Sequence, residues 1–394
     1  MKIGLISDAY YPITGGVSTS LLMLKEGLTL MGHDVYVITT TTNGYKEYDN
    51  NDPKMIRIKG IPFPFKGLRH FRYVPFKGKY VRKIKKLDLD LIHVHTEFSM
   101  GSLGKKLRKK TNIPMVFTVH TMYEQYLHYV SKTLDKLFKN RMKSMLIKLM
   151  RSFIKRADVT IVPSQKTKDL MLSYNIEGNY QIIPTGIELN KFYEKNYSQE
   201  QVTELKESLG LKDEYVCLFV GRISEEKSIN VLIKGFKESN HNNMKFLIVG
   251  DGPYMNALKA LVKKEQLEDK VIFTGMVDWD LVGLYYQLGD VFLNASLSET
   301  QGLTYIEALA SGLPLIVKYD KVLENVISDG VNGLFFHDNN ELPTLINKLC
   351  ENKDLSNKLK ENAFNSVKKY SKEEYAKNAN NAYNEAIKLN KVKK

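Results

Sequence analysis

The sequence predicts an α/β protein made of two doubly wound parallel sheets, and three observations predict it. Short, almost wholly apolar, β-branched runs alternate with helical segments; the alternation pauses once and then restarts; and 394 residues, 43% of them hydrophobic, suffice for two cores. The first series is KIGLIS at 2–7, DVYVIT at 34–39, LIHVH at 91–95, MVFTVH at 115–120, VTIVPS at 159–164 and YQIIPTG at 180–186. The polar stretch LNKFYEKNYSQEQ at 189–201 interrupts it. The second series is YVCLFVG at 215–221, KFLIVGDG at 245–252, VIFTG at 271–275, VFLNAS at 291–296 and PLIVK at 314–318. Strands covered on both faces by helices need no polar side, which is why these runs do not alternate. The expected units are 1–186, 187–370 and a last helix from 371 to 394 that crosses back to the first unit. The capping-box spacing of Ser371 and Glu374 starts that helix.

Composition excludes several classes. The cysteines, Cys217 in an apolar run and Cys350 in a late helix, form no Cys-x-x-Cys and no cluster with histidine, so neither a disulfide framework nor structural zinc is expected. MKIGLISDAY enters a strand without a signal peptide's basic lead, and no uncharged run reaches the roughly 18 residues that span a bilayer. A cytoplasmic protein is expected. The net charge of +14 is unevenly spread: residues 1–185 hold 31 Lys and Arg against 14 Asp and Glu, the remainder 27 against 30. One basic half beside a near-neutral half implies a single face that meets an anionic partner.

In doubly wound sheets, ligands sit beyond the carboxyl ends of the strands, so the loops there carry the candidate chemistry. The first, SDAYYPITGGVSTS, puts Gly15 and Gly16 before a helix: either a plain turn or a close backbone approach to an anion. In the second, VGRISEEKSIN, Arg222 and Lys227 suit a diphosphate, or pair with Glu225 and Glu226 as a solvated face. The third, SETQGLTYIEALASGLP, reads as a capped helix: Thr304 and Glu307 have capping-box spacing, and Gly312-Leu313-Pro314 is a stop. That reading leaves Glu299, Gln301 and Gly302 unexplained. A glycine loop entering a helix offers free N–H donors to phosphate oxygens, and carboxylates on either side would accept from the vicinal hydroxyls of a nucleotide-sugar.

These loops together resemble the retaining glycosyltransferases of the GT-B fold, whose donor domain holds two glutamates separated by seven residues. The resemblance runs through GGV, TVH, IVPS, PTGI, GRISEEKS, VGDGP, ETQGLTYIEALASGLP and DGVNGLFF. A narrower resemblance, to the membrane-associated diacylglycerol glucosyltransferases of wall-less bacteria, rests on HVHTEFSMGSLG, HYVSK, LYYQLGDVFLNASLSETQGLTYIEALASGLPLIV and Tyr319-Asp320. It implies two Rossmann-like domains facing across a cleft. Arg222 and Lys227 would bind the nucleotide diphosphate with the backbone of Gly302, Leu303 and Thr304. Glu307 would hold the ribose, Glu299 and Gln301 would lie beside the hexose, Gly15 and Gly16 would approach the phosphate from the other domain, and His120 would be the active-site histidine. Catalysis would fall to His120 and Glu299, with retention through same-face attack, the leaving phosphate taking the acceptor's proton.

The implied reaction moves a hexose, glucose from UDP-glucose, onto diacylglycerol at the cytoplasmic face of the membrane, the enzyme being peripheral. A soluble or polysaccharide acceptor, and a non-enzymatic basic membrane-surface or nucleic-acid-binding protein, are the alternatives. No bound cofactor is expected. Magnesium would at most stimulate without being held by the protein, because DLD at 88–90 and DWD at 278–280 suit capping, and HVH at 93–95 lacks a third ligand.

The acceptor side follows from the basic half. Lys66 to Leu87 holds nine Lys and Arg and no acid, with Tyr80, Val81, Ile84 and Leu87 at helical spacing and Pro75 placed to start the helix. Arg69, Arg72, Phe76, Lys77, Lys79, Tyr80, Arg82, Lys83 and Lys86 are the expected contacts with anionic lipid. The segment 131–156 sets Leu134, Leu137, Phe138, Met142, Met145, Leu149, Met150 and Phe153 opposite nine cations. It fits a membrane interface or a helix packed on the sheet with a solvated back. No nucleic-acid recognition motif accompanies either segment.

Overall fold

The computed structural model describes residues 1–13, 15–62, 72–120, 136–239 and 241–392, the side chains of 136–139 excepted. Contacts group the chain into two compact units, Met1–Ile187 with Lys372–Lys394, and Glu188–Ser371.

The first unit is a seven-stranded, all-parallel sheet. Its strands are β1 (Lys2–Ile6), β2 (Asp34–Thr40), β3 (Met55–Ile58), β6 (Leu91–Val94), β7 (Met115–Thr118), β8 (Val159–Val162) and β9 (Tyr180–Ile182). A short antiparallel ribbon, β4 (Ile61–Pro62) with β5 (Arg72–Tyr73), lies outside it. The order is β3-β2-β1-β6-β7-β8-β9, so the winding reverses between β1 and β6. Alternation along β1 divides the core: Ile3 and Leu5 face helices Gly16–Leu30 and Lys372–Val392, while Ile6 joins helices Lys77–Lys85, Ser99–Thr111 and Lys136–Ile154.

The edge strand β3 was not among the apolar runs. Its MIRI pattern alternates half-buried with buried residues, and Arg57 interrupts the run to reach the Asp49 carboxylate at 2.7 Å.

The second unit is a six-stranded parallel sheet of β10 (Tyr215–Val220), β11 (Met244–Val249), β12 (Val271–Gly275), β13 (Val291–Asn294), β14 (Leu315–Lys318) and β15 (Gly333–Phe336). The order β12-β11-β10-β13-β14-β15 puts its reversal between β10 and β13. Both units are therefore Rossmann-like, as the alternating pattern predicts.

The helix Lys372–Val392 docks in the first unit through a stripe of small side chains. Ala376, Ala379, Ala382 and Ala386 are fully buried, and Ser20 Oγ lies 2.9 Å from the Tyr375 hydroxyl. Gly27 permits the approach: a Cβ there would sit 2.6 Å from Ala376 Cβ and 2.8 Å from the Lys372 carbonyl. Gly27→Leu should therefore destabilise the first unit by roughly 2–3 kcal/mol. Thermal melting together with proteolysis of the last helix checks this, and an unchanged melting temperature would exclude the packing.

Candidate functional site

In the second unit the loops after β10 and β13 converge where the winding reverses. Ser224 is buried and donates to Glu226 Oε1 at 2.6 Å, starting the single turn Glu225–Lys227. That turn carries Lys227 to the other loop, where its Nζ lies 2.6 Å from Glu299 Oε1. The two side chains are 22% and 13% exposed, so the pair is sheltered but reachable. Arg222, at the start of the same loop, is exposed. Glu226 accepts from Ser224, and Lys227 donates to Glu299 from one loop to the other.

The second loop ends in Gln301, which is buried, and Gly302, which begins helix Leu303–Ala310 with φ 84°. A Cβ at Gly302 would meet the Tyr305 ring at 2.6 Å, so both the angle and the space demand glycine. Leu303 and Thr304 are half-buried in the first turn, where backbone N–H groups lack helical acceptors. The expected capping box is not formed. The N-cap is Gly302, without a side-chain cap, because the helix starts earlier than Thr304 would require. The Glu307 carboxylate instead turns inward and accepts a hydrogen bond from the Tyr286 hydroxyl at 2.8 Å. Burial pushes the Glu307 carboxyl up to about 7, against the opposing pull of that hydrogen bond and of Lys191.

Tyr286 and Lys191 escaped the sequence reading. Tyr286 lies in an apolar run and resembles core; its ring packs edge-on against Phe192 with centroids 5.6 Å apart. Lys191 sits in the polar interruption, over the Trp279 ring at 4.5 Å and 3.1 Å from Asp280. Asp278 accepts from the backbone N–H of Asp280 at 2.9 Å in a local turn, and Asp90 accepts from that of Lys2 at 2.8 Å at the start of β1. Among the described residues no three His, Cys, Asp or Glu are grouped to hold a metal ion.

In the first unit the loops after β1 and β6 are tied by Asp8, another residue the sequence reading passed over. Its carboxylate accepts from Thr96 Oγ1 at 2.7 Å and from the Met100 N–H at 2.9 Å, and burial pushes it up to about 6. Gly15, at φ 149°, and Gly16 open the helix Gly16–Leu30, and no atom of the described residues lies within 4 Å of a Cβ built at either. His120 lies two residues beyond β7, half-buried, its Nε2 3.0 Å from His95 Nδ1.

In the first basic segment the apolar positions expected at helical spacing line one side, and that side packs on the sheet. Val81 and Ile84 are buried in the sheet core, Tyr80 and Leu87 pack beside them, and helix Lys77–Lys85 leaves Arg82 and Lys83 outward, followed by exposed Lys86. The helix begins after Phe76, which is 84% exposed, and Tyr73 of β5 is 50% exposed. Lys77 lies over the Tyr73 ring at 5.0 Å, Lys79 over the Tyr80 ring at 4.8 Å, and Arg72 donates to the Thr41 carbonyl at 3.3 Å. In helix Lys136–Ile154, Met150, Phe153 and Ile154 are buried while Met145 is 61% exposed. Arg69 and the 121–135 stretch, with Leu134 and the HYVSK motif, lie outside the described residues, as do the side chains of Leu137 and Phe138.

Residues 14–191 match the family model Glycosyltransferase Family 4, and residues 201–366 match Glycosyl transferases group 1. The alpha-monoglucosyldiacylglycerol synthase of Acholeplasma laidlawii is 46% identical over 396 residues, covering 100% of this chain and 99% of that one. The enzyme of the same name from Streptococcus pneumoniae is 40% identical over 346 residues, covering 87% and 76%. The chain belongs to the GT-B glycosyltransferase family of these synthases.

The glycosyltransferase also shares its fold with Anabaena Alr3699/HepE, solved in complex with UDP and glucose, at TM-score 0.79 and 18% identity, covering 98% and 99% of the two chains. Its buried Glu307 makes a testable link between site and stability. The folded glycosyltransferase holds this proton more tightly than the unfolded chain does, so ionisation costs stability as pH rises from 4.5 to about 7. Glu307→Gln removes that titration. Its melting temperature should gain on wild type between about pH 5 and about pH 8, by an amount worth up to roughly 3 kcal/mol. A pH-independent difference would contradict the assignment.

Proposed function

We propose that this glycosyltransferase moves glucose from UDP-glucose to diacylglycerol with retention of configuration, making a monoglucosyl diacylglycerol at the cytoplasmic membrane surface. The observation that carries the reading is whole-length identity of 46% to a synthase of that name, and the loops at the second unit's winding reversal carry the side chains the transfer needs. A UDP donor is further supported by the UDP and UDP-glucose complexes of HepE, which shares the fold.

Arg222 and Lys227 neutralise the diphosphate as its charge develops, joined by the N–H groups of Gly302, Leu303 and Thr304. Lys227 exchanges its 2.6 Å contact with Glu299 for phosphate oxygen, which frees the Glu299 carboxylate for hexose hydroxyls beside Gln301. Glu307 accepts from the ribose, and Tyr286 keeps it aimed. UDP is a good leaving group once its charge is balanced, so no carboxylate nucleophile is required; the leaving phosphate takes the acceptor's proton on the same face. The family resemblance assigns Gly15 and Gly16 to the donor phosphate and His120 to the hexose. No protein-held metal is needed.

Diacylglycerol is confined to a membrane. No helix of the described residues is long and apolar enough to cross one. Phe76 and Tyr73 supply exposed aromatic surface beside Lys79, Arg82, Lys83 and Lys86, each cation gaining about 1 kcal/mol near anionic lipid. Arg69 and Arg72 extend that basic stretch in sequence.

Incubation with radiolabelled sugar nucleotides and diacylglycerol in anionic vesicles should label a monoglucosyl lipid from UDP-glucose alone. Lys227→Ala and Glu307→Ala should each lower turnover by about 100-fold or more, with vesicle binding intact. Label in a soluble acceptor, or full turnover by either variant, would overturn the reading. Replacing anionic with zwitterionic lipid, or raising salt until the Debye length is about 3 Å, should lower wild-type turnover; insensitivity to both would remove the electrostatic docking.

A further inference from the structure

The proposed reaction uses one histidine, yet three meet at the ends of β6 and β7. The strands pair in parallel with His93 opposite Val116 and Val94 opposite Phe117, a register that sets His95 beside Thr118, two residues before His120. His93 is fully engaged: Nδ1 is 2.8 Å from the Tyr383 hydroxyl and Nε2 is 2.7 Å from Thr118 Oγ1. Its ring lies over that of His95, centroids 3.9 Å apart. His95 Nδ1 in turn lies 3.0 Å from His120 Nε2, the two rings within 20° of parallel. His95 is 1% exposed, and its Nε2 has no hydrogen-bond partner among the described residues.

A contact between two imidazole nitrogens needs one proton, and its owner fixes both tautomers. If His120 donated from Nε2, neutral His95 would carry its own proton on Nε2, a buried N–H without an acceptor. Buried orphan N–H groups are rarer in folded proteins than unfilled acceptors. If His95 donates from Nδ1, its Nε2 keeps only a lone pair, and the proton of His120 moves to Nδ1, the nitrogen turned from His95. Burial holds all three rings below the ordinary histidine range, so the set is uncharged near neutral pH.

We propose that His95 is a positioning residue, whose Nδ1–H holds His120 in the Nδ1–H tautomer so that His120 offers an N–H donor to a hydroxyl of the transferred hexose. His120 then orients the sugar by hydrogen bonding and transfers no proton. The proposal rests on the reading that assigns His120 to the donor hexose.

The test combines ring ¹⁵N spectra of the full-length protein with kinetics of His95→Phe, His95→Asn and His120→Ala, assayed with UDP-glucose and diacylglycerol vesicles. Wild-type spectra should show His120 protonated at Nδ1 and bare at Nε2, and His95 protonated at Nδ1. His95→Phe should lose about 10-fold or more in kcat with UDP affinity unchanged, and His120 should become a mixture of tautomers. His95→Asn, whose amide N–H can stand in for Nδ1–H, should recover much of the rate. A proton on His120 Nε2 in wild type overturns the proposal without needing any variant. So does wild-type kcat in His95→Phe when His120→Ala is inactive. Wild-type kcat in His120→Ala removes the donor reading of His120, and the positioning role with it, while the spectrum still decides the tautomer.

Discussion

Every strand of a parallel sheet must be followed by a crossover, and where the strand order reverses, successive crossovers leave on opposite faces and their loops part at the carboxyl edge. β10 and β13 hold that position in the second unit. The helix after β10 buries Ile229, Leu232 and Ile233 with Cys217 and Phe219, whereas Tyr305, from the helix after β13, packs against Phe292 at 5.9 Å between centroids. With their helices on opposite faces, the two loops are left facing each other, and the 2.6 Å contact of Lys227 with Glu299 marks where they meet. β1 and β6 repeat the arrangement in the first unit, where Asp8 joins the loops by accepting from Thr96 and Met100.

The same geometry explains why polar groups are buried at some cost. Glu307 is 4% exposed and Asp8 is 2% exposed, and burial raises both carboxyls against the hydrogen bonds that hold them. A core designed only for stability would not include a carboxylic acid held near 7 beside a tyrosine, or three neighbouring histidines. These residues lie at strand ends or in the first turns after the loops, where a fold places groups that must be both rigid and reachable. The wide charge asymmetry belongs to another layer: on helix Lys77–Lys85 the apolar face is spent on the sheet, leaving the cations and the ring of Phe76 exposed.

Much of this was legible in the sequence. Apolar runs identified the central strands because a doubly covered strand has no polar face, and the polar interruption near 189 marked the change of unit. The edge strand β3 was illegible for another reason: it has four residues, and Arg57 breaks its apolar run. The motif loops could be found, but not their pairing, since Lys227 and Glu299 are 72 residues apart and only the strand order brings them together. Tyr286 was hidden by its chemistry: a tyrosine at apolar spacing looks like core until its hydroxyl is seen on Glu307. The capping-box reading of Thr304 and Glu307 failed because Gly302 starts the helix earlier and the carboxylate has a tertiary partner. His95 appeared only as half of an incomplete metal motif, because its link to His120 crosses from one strand to the next.

A donor bound at the winding reversal of the second unit would shield the two loops there, and amide hydrogen exchange with and without UDP-glucose reads that shielding. Protection should concentrate in residues 221–228 and 295–307, with the rest of that sheet unchanged. Full exchange in both loops at saturating donor, or protection confined to other segments, would contradict donor binding there.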